Sequence, residues 1–177
     1  PGTVLAGYHA DLNLITVHGR GRLPGLFVWT RDGDRLPVAI PPGCLLLQAG
    51  LQMEHLTGGA VLAGRHEVIV TEAALAAVRE ALAAGGGPAR AWRVSSTVFG
   101  HAASDAVLAP LGRFADRPGA AGAYPPITAG AFVQRELEAI CLKRVEGGGG
   151  GGGGGQRRVG RAGAAGVSLD GGGGEGV

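Results

Sequence analysis

Long apolar runs, cysteine pairs and a dominant charge are all missing from this 177-residue chain. No apolar run approaches the roughly 18–20 residues that a membrane-spanning helix needs, so a membrane partner is not expected. The formal net charge is only +2. The basic residues are scattered, apart from Arg157, Arg158 and Arg161 near the end, and this spread argues against a nucleic-acid partner. The 2 cysteines, Cys44 and Cys141, stand far apart and form no Cys-x-x-Cys pattern. A reduced, cytoplasmic compartment suits them, and Cys44, inside Gly43-Cys44-Leu45-Leu46-Leu47, reads as a small core residue. Aromatics are few, with 4 Phe, 2 Trp and 2 Tyr. The chain opens at Pro1, directly ahead of a strand and without an initiator methionine or signal peptide. It is therefore expected to be a fragment of a longer chain, with an unpaired sheet edge near residues 9–17.

What the chain has is short β-prone runs divided by Gly, Pro and Asp-Gly turns. Residues 9–17 read as the first strand and Leu26–Thr30 as the second. Asp32-Gly33 is a hairpin signal, after which Leu36–Ile40 returns. Cys44–Ala49 reads as a short buried strand and Val61–Val70 as a long one carrying His66, while Gln52–Leu56 is ambiguous. Thr71 is placed as a helix N-cap, with a helix over Glu72–Ala84 stopped by Gly85-Gly86-Gly87-Pro88. Ala91–Phe99 is the last strand, and a helix is expected from about Thr128 to Leu142, with Phe132, Leu137 and Ile140 docking. Residues 1–142 thus make one mostly-β domain, a sandwich or jelly roll by pattern. Residues 143–177, with nine consecutive glycines from Gly147, read as a disordered tail.

Three stretches carry chemistry. His9-Ala10-Asp11 sets an imidazole and a carboxylate two residues apart, on one face if the backbone is extended. A second imidazole would complete a 2-His-1-carboxylate facial triad, which leaves coordination positions open on non-haem Fe(II). The second stretch runs from Gly43 through Gln48, Gly50 and Thr57-Gly58-Gly59 to Arg65-His66-Glu67-Val68. The third is Trp92-Arg93-Val94-Ser95, in which a guanidinium and a hydroxyl share a face. A guanidinium suits bidentate pairing with a carboxylate.

These stretches, in this order, resemble the C-terminal half of an Fe(II)/2-oxoglutarate-dependent dioxygenase of the isopenicillin N synthase-like group. The resemblance covers roughly residues 3–142 and implies a double-stranded β-helix. It implies His9, Asp11 and His66 as ligands of Fe(II), and Arg93 with Ser95 as the clamp on the far carboxylate of 2-oxoglutarate, the co-substrate. A small-molecule substrate and O₂ would be the other partners. The chain departs from the family at Glu67, where an Arg is usual, and in the helix predicted between His66 and Arg93. His18, His55 and His101 are the competing imidazoles; the first two read as solvated or capping residues and His101 as a loop residue. Asn13 shares the face of His9 and Asp11, where a supporting role and plain packing are equally open. The alternative to an oxygenase is a catalytically silent β-helix fragment or metal-binding module that retains the motifs.

Overall fold

The computed structural model of the chain describes residues 1–139. The proposed tail and Cys141 lie outside these residues, as do Ile140 and the end of the helix expected to reach Leu142. The order of elements is β1 (Val4–Ala10), β2 (Ile15–His18), β3 (Leu26–Trp29), β4 (Arg35–Pro37), β5 (Leu46–Ala49), α1 (Leu51–Leu56), β6 (Arg65–Ile69), α2 (Glu72–Ala83), β7 (Thr97–Gly100), β8 (Val107–Leu108), α3 (Ala120–Ala123), β9 (Ile127–Thr128) and α4 (Ala129–Ala139). All strand pairs are antiparallel. One sheet has the order β1-β6-β3-β4 and another β5-β2-β7, while β8 and β9 pair by themselves.

The strand expected over residues 9–17 is two strands. The chain leaves β1 after Ala10 because Asn13 offers the backbone another partner: its Nδ2 donates to the Ile15 carbonyl at 2.7 Å. This bend is strapped to the start of α1, where the amides of Gly50, Leu51 and Gln52 donate to the carbonyls of Leu14, Asp11 and Asn13. Gly50 is required there, since a Cβ would collide with the Asn13 carbonyl. The ambiguous stretch before His55 is thus helical, and β6 is confined to Arg65–Ile69. The Asp32-Gly33 hairpin joins β3 to β4, with the Thr30 amide bonded to the Asp34 carbonyl at 2.9 Å. Thr71 caps α2 by accepting from the Ala74 amide at 3.1 Å.

Cys44 is exposed rather than a core residue. The turn at Pro41-Pro42-Gly43 delays β5 until Leu46, so Cys44 never enters the sheet. The apolar core gathers Leu108, Ala129 and Phe132, with Leu51, Leu56, Ile127 and Val133 packed around it. A second buried set is polar: Asp11, Asn13, Thr16, Gln48, Gln52, His55, Thr57 and His66. Buried polar groups are costly unless bonded, and most of this set is bonded around one site. β1 forms an edge of its sheet, with Val4, Leu5 and Tyr8 all more than half exposed.

Candidate metal centre

His9 and His66 stand directly opposite each other in the β1–β6 ladder. Side chains of directly opposed residues project to the same face, and the two rings lie 4.2 Å apart between centroids. Asp11 joins them from the bend after β1. His9 Nε2 is 3.5 Å and His66 Nε2 3.8 Å from Asp11 Oδ1. One ligand atom from each of the three residues lies within 4.8 Å of the others. Bond lengths of about 2.0–2.2 Å set neighbouring donors on an octahedral ion roughly 3 Å apart, so small side-chain shifts would close the trio around a cation. The donor set fits a divalent transition metal that keeps open positions.

The surroundings prepare two of the three donors. The Nδ1–H of His9 donates to the Gly7 carbonyl at 2.6 Å, which leaves the Nε2 lone pair facing Asp11. Thr16 Oγ1 donates to Asp11 Oδ2 at 2.6 Å, and Asn13 Nδ2 donates to Thr16 at 3.0 Å. With Oδ2 engaged, Oδ1 is the oxygen turned to the imidazoles. Asn13 therefore supports the carboxylate through Thr16. Gln48 lies 2.8 Å from His66 Nδ1 through its Nε2. Sequence reasoning missed both Thr16 and Gln48. Each is a lone polar residue in an apolar strand, in Leu14-Ile15-Thr16-Val17 and Leu45-Leu46-Leu47-Gln48, and that was the available signal.

Electrostatics divides the group. In its protonated form His9 also donates Nε2–H to Asp11, and this bond raises the His9 pKa against the opposing effect of burial. Burial pushes Asp11 upward, but the bonds from His9 and Thr16, with the nearby imidazoles, hold it below the usual carboxylate range. Burial lowers His66 and His18. Burial thus favours the neutral ring of His66, the form that metal ligation requires.

The trio opens on a cavity of about 390 Å³ that His18, Arg93 and Ser95 also line. The stretch expected as a strand over Ala91–Phe99 is regular only from Thr97. Ala91 instead closes a short 3₁₀ turn over Pro88–Ala91, and from Trp92 onward the chain is tied to the loop after β2 by Gly19 and Arg22 amides donating to the Ser96 and Val94 carbonyls. Alternation survives in this segment. Trp92 and Val94 are exposed at 71% and 59%, while the half-buried Arg93 and the exposed Ser95 line the cavity and bond each other at 3.3 Å. Burial lowers the Arg93 pKa, and its Nε has no partner.

Two competing imidazoles differ from the expectation. His55 is neither solvated nor capping: it is buried between Tyr124 and Phe132, with Nε2 2.9 Å from the Pro125 carbonyl. The short helix α1 turns it toward α4, away from the trio. His18 is half-buried and lines the cavity because β2 places it two residues beyond Thr16, on the same face. His101 is exposed. Glu67, in the place where the family usually has Arg, pairs with Arg35 across the outer side of the sheet.

An antiparallel scaffold with a paired-imidazole and carboxylate cluster at the mouth of a cavity is an arrangement that could hold a single metal ion. Among solved structures the chain is similar to 2OG-Fe(II) oxygenase family proteins. One, from Caulobacter crescentus, is 32% identical with a TM-score of 0.59, over 76% of this chain and 40% of that one. An oxygenase from Shewanella oneidensis is 24% identical with a TM-score of 0.55, over 81% and 42%. The rice dioxygenase for auxin oxidation shares the fold at 20% identity and a TM-score of 0.58, over 78% and 42%. The chain thus spans about two fifths of the length of these proteins. No protein-family model and no curated protein matches the sequence.

Proposed function

We propose that residues 1–142 are the metal-bearing part of a non-haem Fe(II)/2-oxoglutarate-dependent oxygenase, and that the two larger sheets are the facing halves of a double-stranded β-helix. The reaction would oxidise a C–H bond of a small organic substrate, with 2-oxoglutarate and O₂ converted to succinate and CO₂. One observation carries the reading: a His-Asp-His donor set and an Arg-x-Ser pair face a single cavity.

In this reading His9, Asp11 and His66 hold Fe(II) on one face. Bound there, the metal supplies the site for O₂ and the redox chemistry that splits the keto acid. The chain's own residues do the positioning. Gly7 sets the tautomer of His9, and Thr16, by donating to Asp11 Oδ2, would leave Oδ1 as the oxygen offered to the metal. Arg93 and Ser95 take the far carboxylate of 2-oxoglutarate, so that its keto acid end reaches the open positions. The half-buried guanidinium, with an unpartnered Nε, is suited to a charged partner.

A catalytically silent metal-binding module that retains the motifs is the second reading, since the His-Asp-His group alone would serve it. Anaerobic loading with Fe(II), followed by 2-oxoglutarate and O₂ and measurement of succinate, separates the two. Succinate release above that of free iron supports the oxygenase. Tight iron binding without succinate supports the silent module.

A further inference from the structure

The cavity before the metal trio has an uneven lining. Val38, Ile40, Val68 and Phe99 make part of it apolar, while the loop between β2 and β3 adds Arg20 and Arg22 to Arg93. Asp11 is the one acidic residue among the described residues that line it. Its volume of about 390 Å³ falls in the range of small-molecule sites, and a short dianion such as 2-oxoglutarate fills only part of such a space.

The three guanidiniums are not equivalent. Arg22 is engaged with backbone, since its Nη2 donates to the Ala89 carbonyl at 2.6 Å and to the Trp92 carbonyl. Arg93 bonds Ser95 and has the co-substrate as its proposed partner. Arg20 is exposed and forms no ion pair among the described residues. Its place in the loop is pinned on both sides. The Gly19 amide donates to the Ser96 carbonyl at 2.8 Å and the Arg22 amide to the Val94 carbonyl at 3.3 Å. Gly21, next to Arg20, runs close to the clamp: a Cβ there would lie 3.5 Å from Arg93 Nη2. The loop therefore holds Arg20 beside the co-substrate site, at the rim of the cavity.

Charge then discriminates between substrates. In the proposed complex the charges of Fe(II), Asp11, Arg93 and the 2-oxoglutarate dianion cancel. Arg20 and Arg22 remain, with no acidic side chain lining the cavity to balance them. A cleft lined by one sign of charge concentrates ligands of the other sign. We propose that the substrate is an organic carboxylate with an apolar body, and that Arg20 pairs with its carboxylate at the cavity rim. The inference rests on the Fe(II)/2-oxoglutarate reading. The apolar body would lie along Val38, Ile40 and Phe99.

The test loads the full chain with Zn(II) and 2-oxoglutarate, then titrates in 3-phenylpropionate and, separately, its neutral amide. The two probes share the apolar body and differ in charge. Wild type should bind the acid about tenfold tighter than the amide, with 2-oxoglutarate still in place. Arg20→Gln changes an exposed side chain, so it should fold as wild type does and bind 2-oxoglutarate unchanged, yet lose the preference for the acid. Arg20→Lys should keep part of that preference. Absence of saturable acid binding, equal binding of acid and amide, a preference that survives in Arg20→Gln, or displacement of 2-oxoglutarate by the acid would each overturn the inference. Failure of the Zn(II) form of wild type to bind 2-oxoglutarate would sink the oxygenase reading itself, and is read before any acid is added.

Discussion

Replacing Thr16 by valine keeps the shape of a fully buried side chain and deletes one hydroxyl. That hydroxyl donates to Asp11 Oδ2 at 2.6 Å and accepts from Asn13 Nδ2 at 3.0 Å. A buried bond to a charged group contributes about 1.5–3 kcal/mol. Asn13 retains its bond to the Ile15 carbonyl, so loss of its second partner adds no more than about 1 kcal/mol. Thr16→Val should therefore destabilise the metal-free chain by about 2–4 kcal/mol at neutral pH, read as a shift of the urea midpoint at constant slope. Asp11 has a folded pKa below its unfolded value. Its contribution is present above the unfolded pKa and is lost as the pH falls through the folded one. The difference between Thr16→Val and wild type should shrink in acid accordingly. A loss under about 0.5 kcal/mol at neutral pH, or one that does not shrink in acid, would refute the reasoning.

Arg93→Lys keeps the charge but loses the planar fork, so 2-oxoglutarate should bind more weakly while Fe(II) binding is unchanged; titration calorimetry of both ligands checks it. His9 must lose its proton to take a metal, and its bond to Asp11 raises its pKa. Fe(II) affinity should fall as the pH drops through that raised value; a midpoint below the ordinary imidazole range would contradict this. The sign is opposite for the metal-free fold, where the His9 contribution is full below the unfolded pKa and disappears as the pH rises through the folded one. Gly50→Ala should destabilise the chain by roughly 2 kcal/mol or more, because the new Cβ meets the Asn13 carbonyl that straps the Asp11 bend to α1. Urea unfolding measures it, and a neutral effect would mean that the strap yields.

The residues singled out in the sequence, His9, Asp11, His66, Arg93 and Ser95, all line one cavity. That convergence was legible because alternation along extended chain survives local irregularity: Arg93 and Ser95 share a face although the ladder begins only at Thr97. The mostly-β architecture and the cap at Thr71 could likewise be read from turn residues and apolar runs. The break after Ala10 was hidden, because Leu12-Asn13-Leu14 continues an apolar alternation and only the Asn13 side chain redirects the backbone. His55 was misread because its burial depends on Tyr124 and Phe132, some seventy residues further along the chain. The pairing of Thr16 and Gln48 behind the donors was hidden for a related reason. Thr16 and Gln48 stand opposite each other across the β2–β5 ladder, and register between strands is not written in either strand alone.

The most direct test is an anaerobic Fe(II) titration of wild type, His66→Ala and His55→Ala side by side. The geometry predicts one Fe(II) per chain in wild type and His55→Ala, with the site lost in His66→Ala, because among the described residues only His66 shares Asp11 Oδ1 with His9. Undiminished iron binding in His66→Ala, or its loss in His55→Ala with the fold intact, would contradict the assignment of the metal centre.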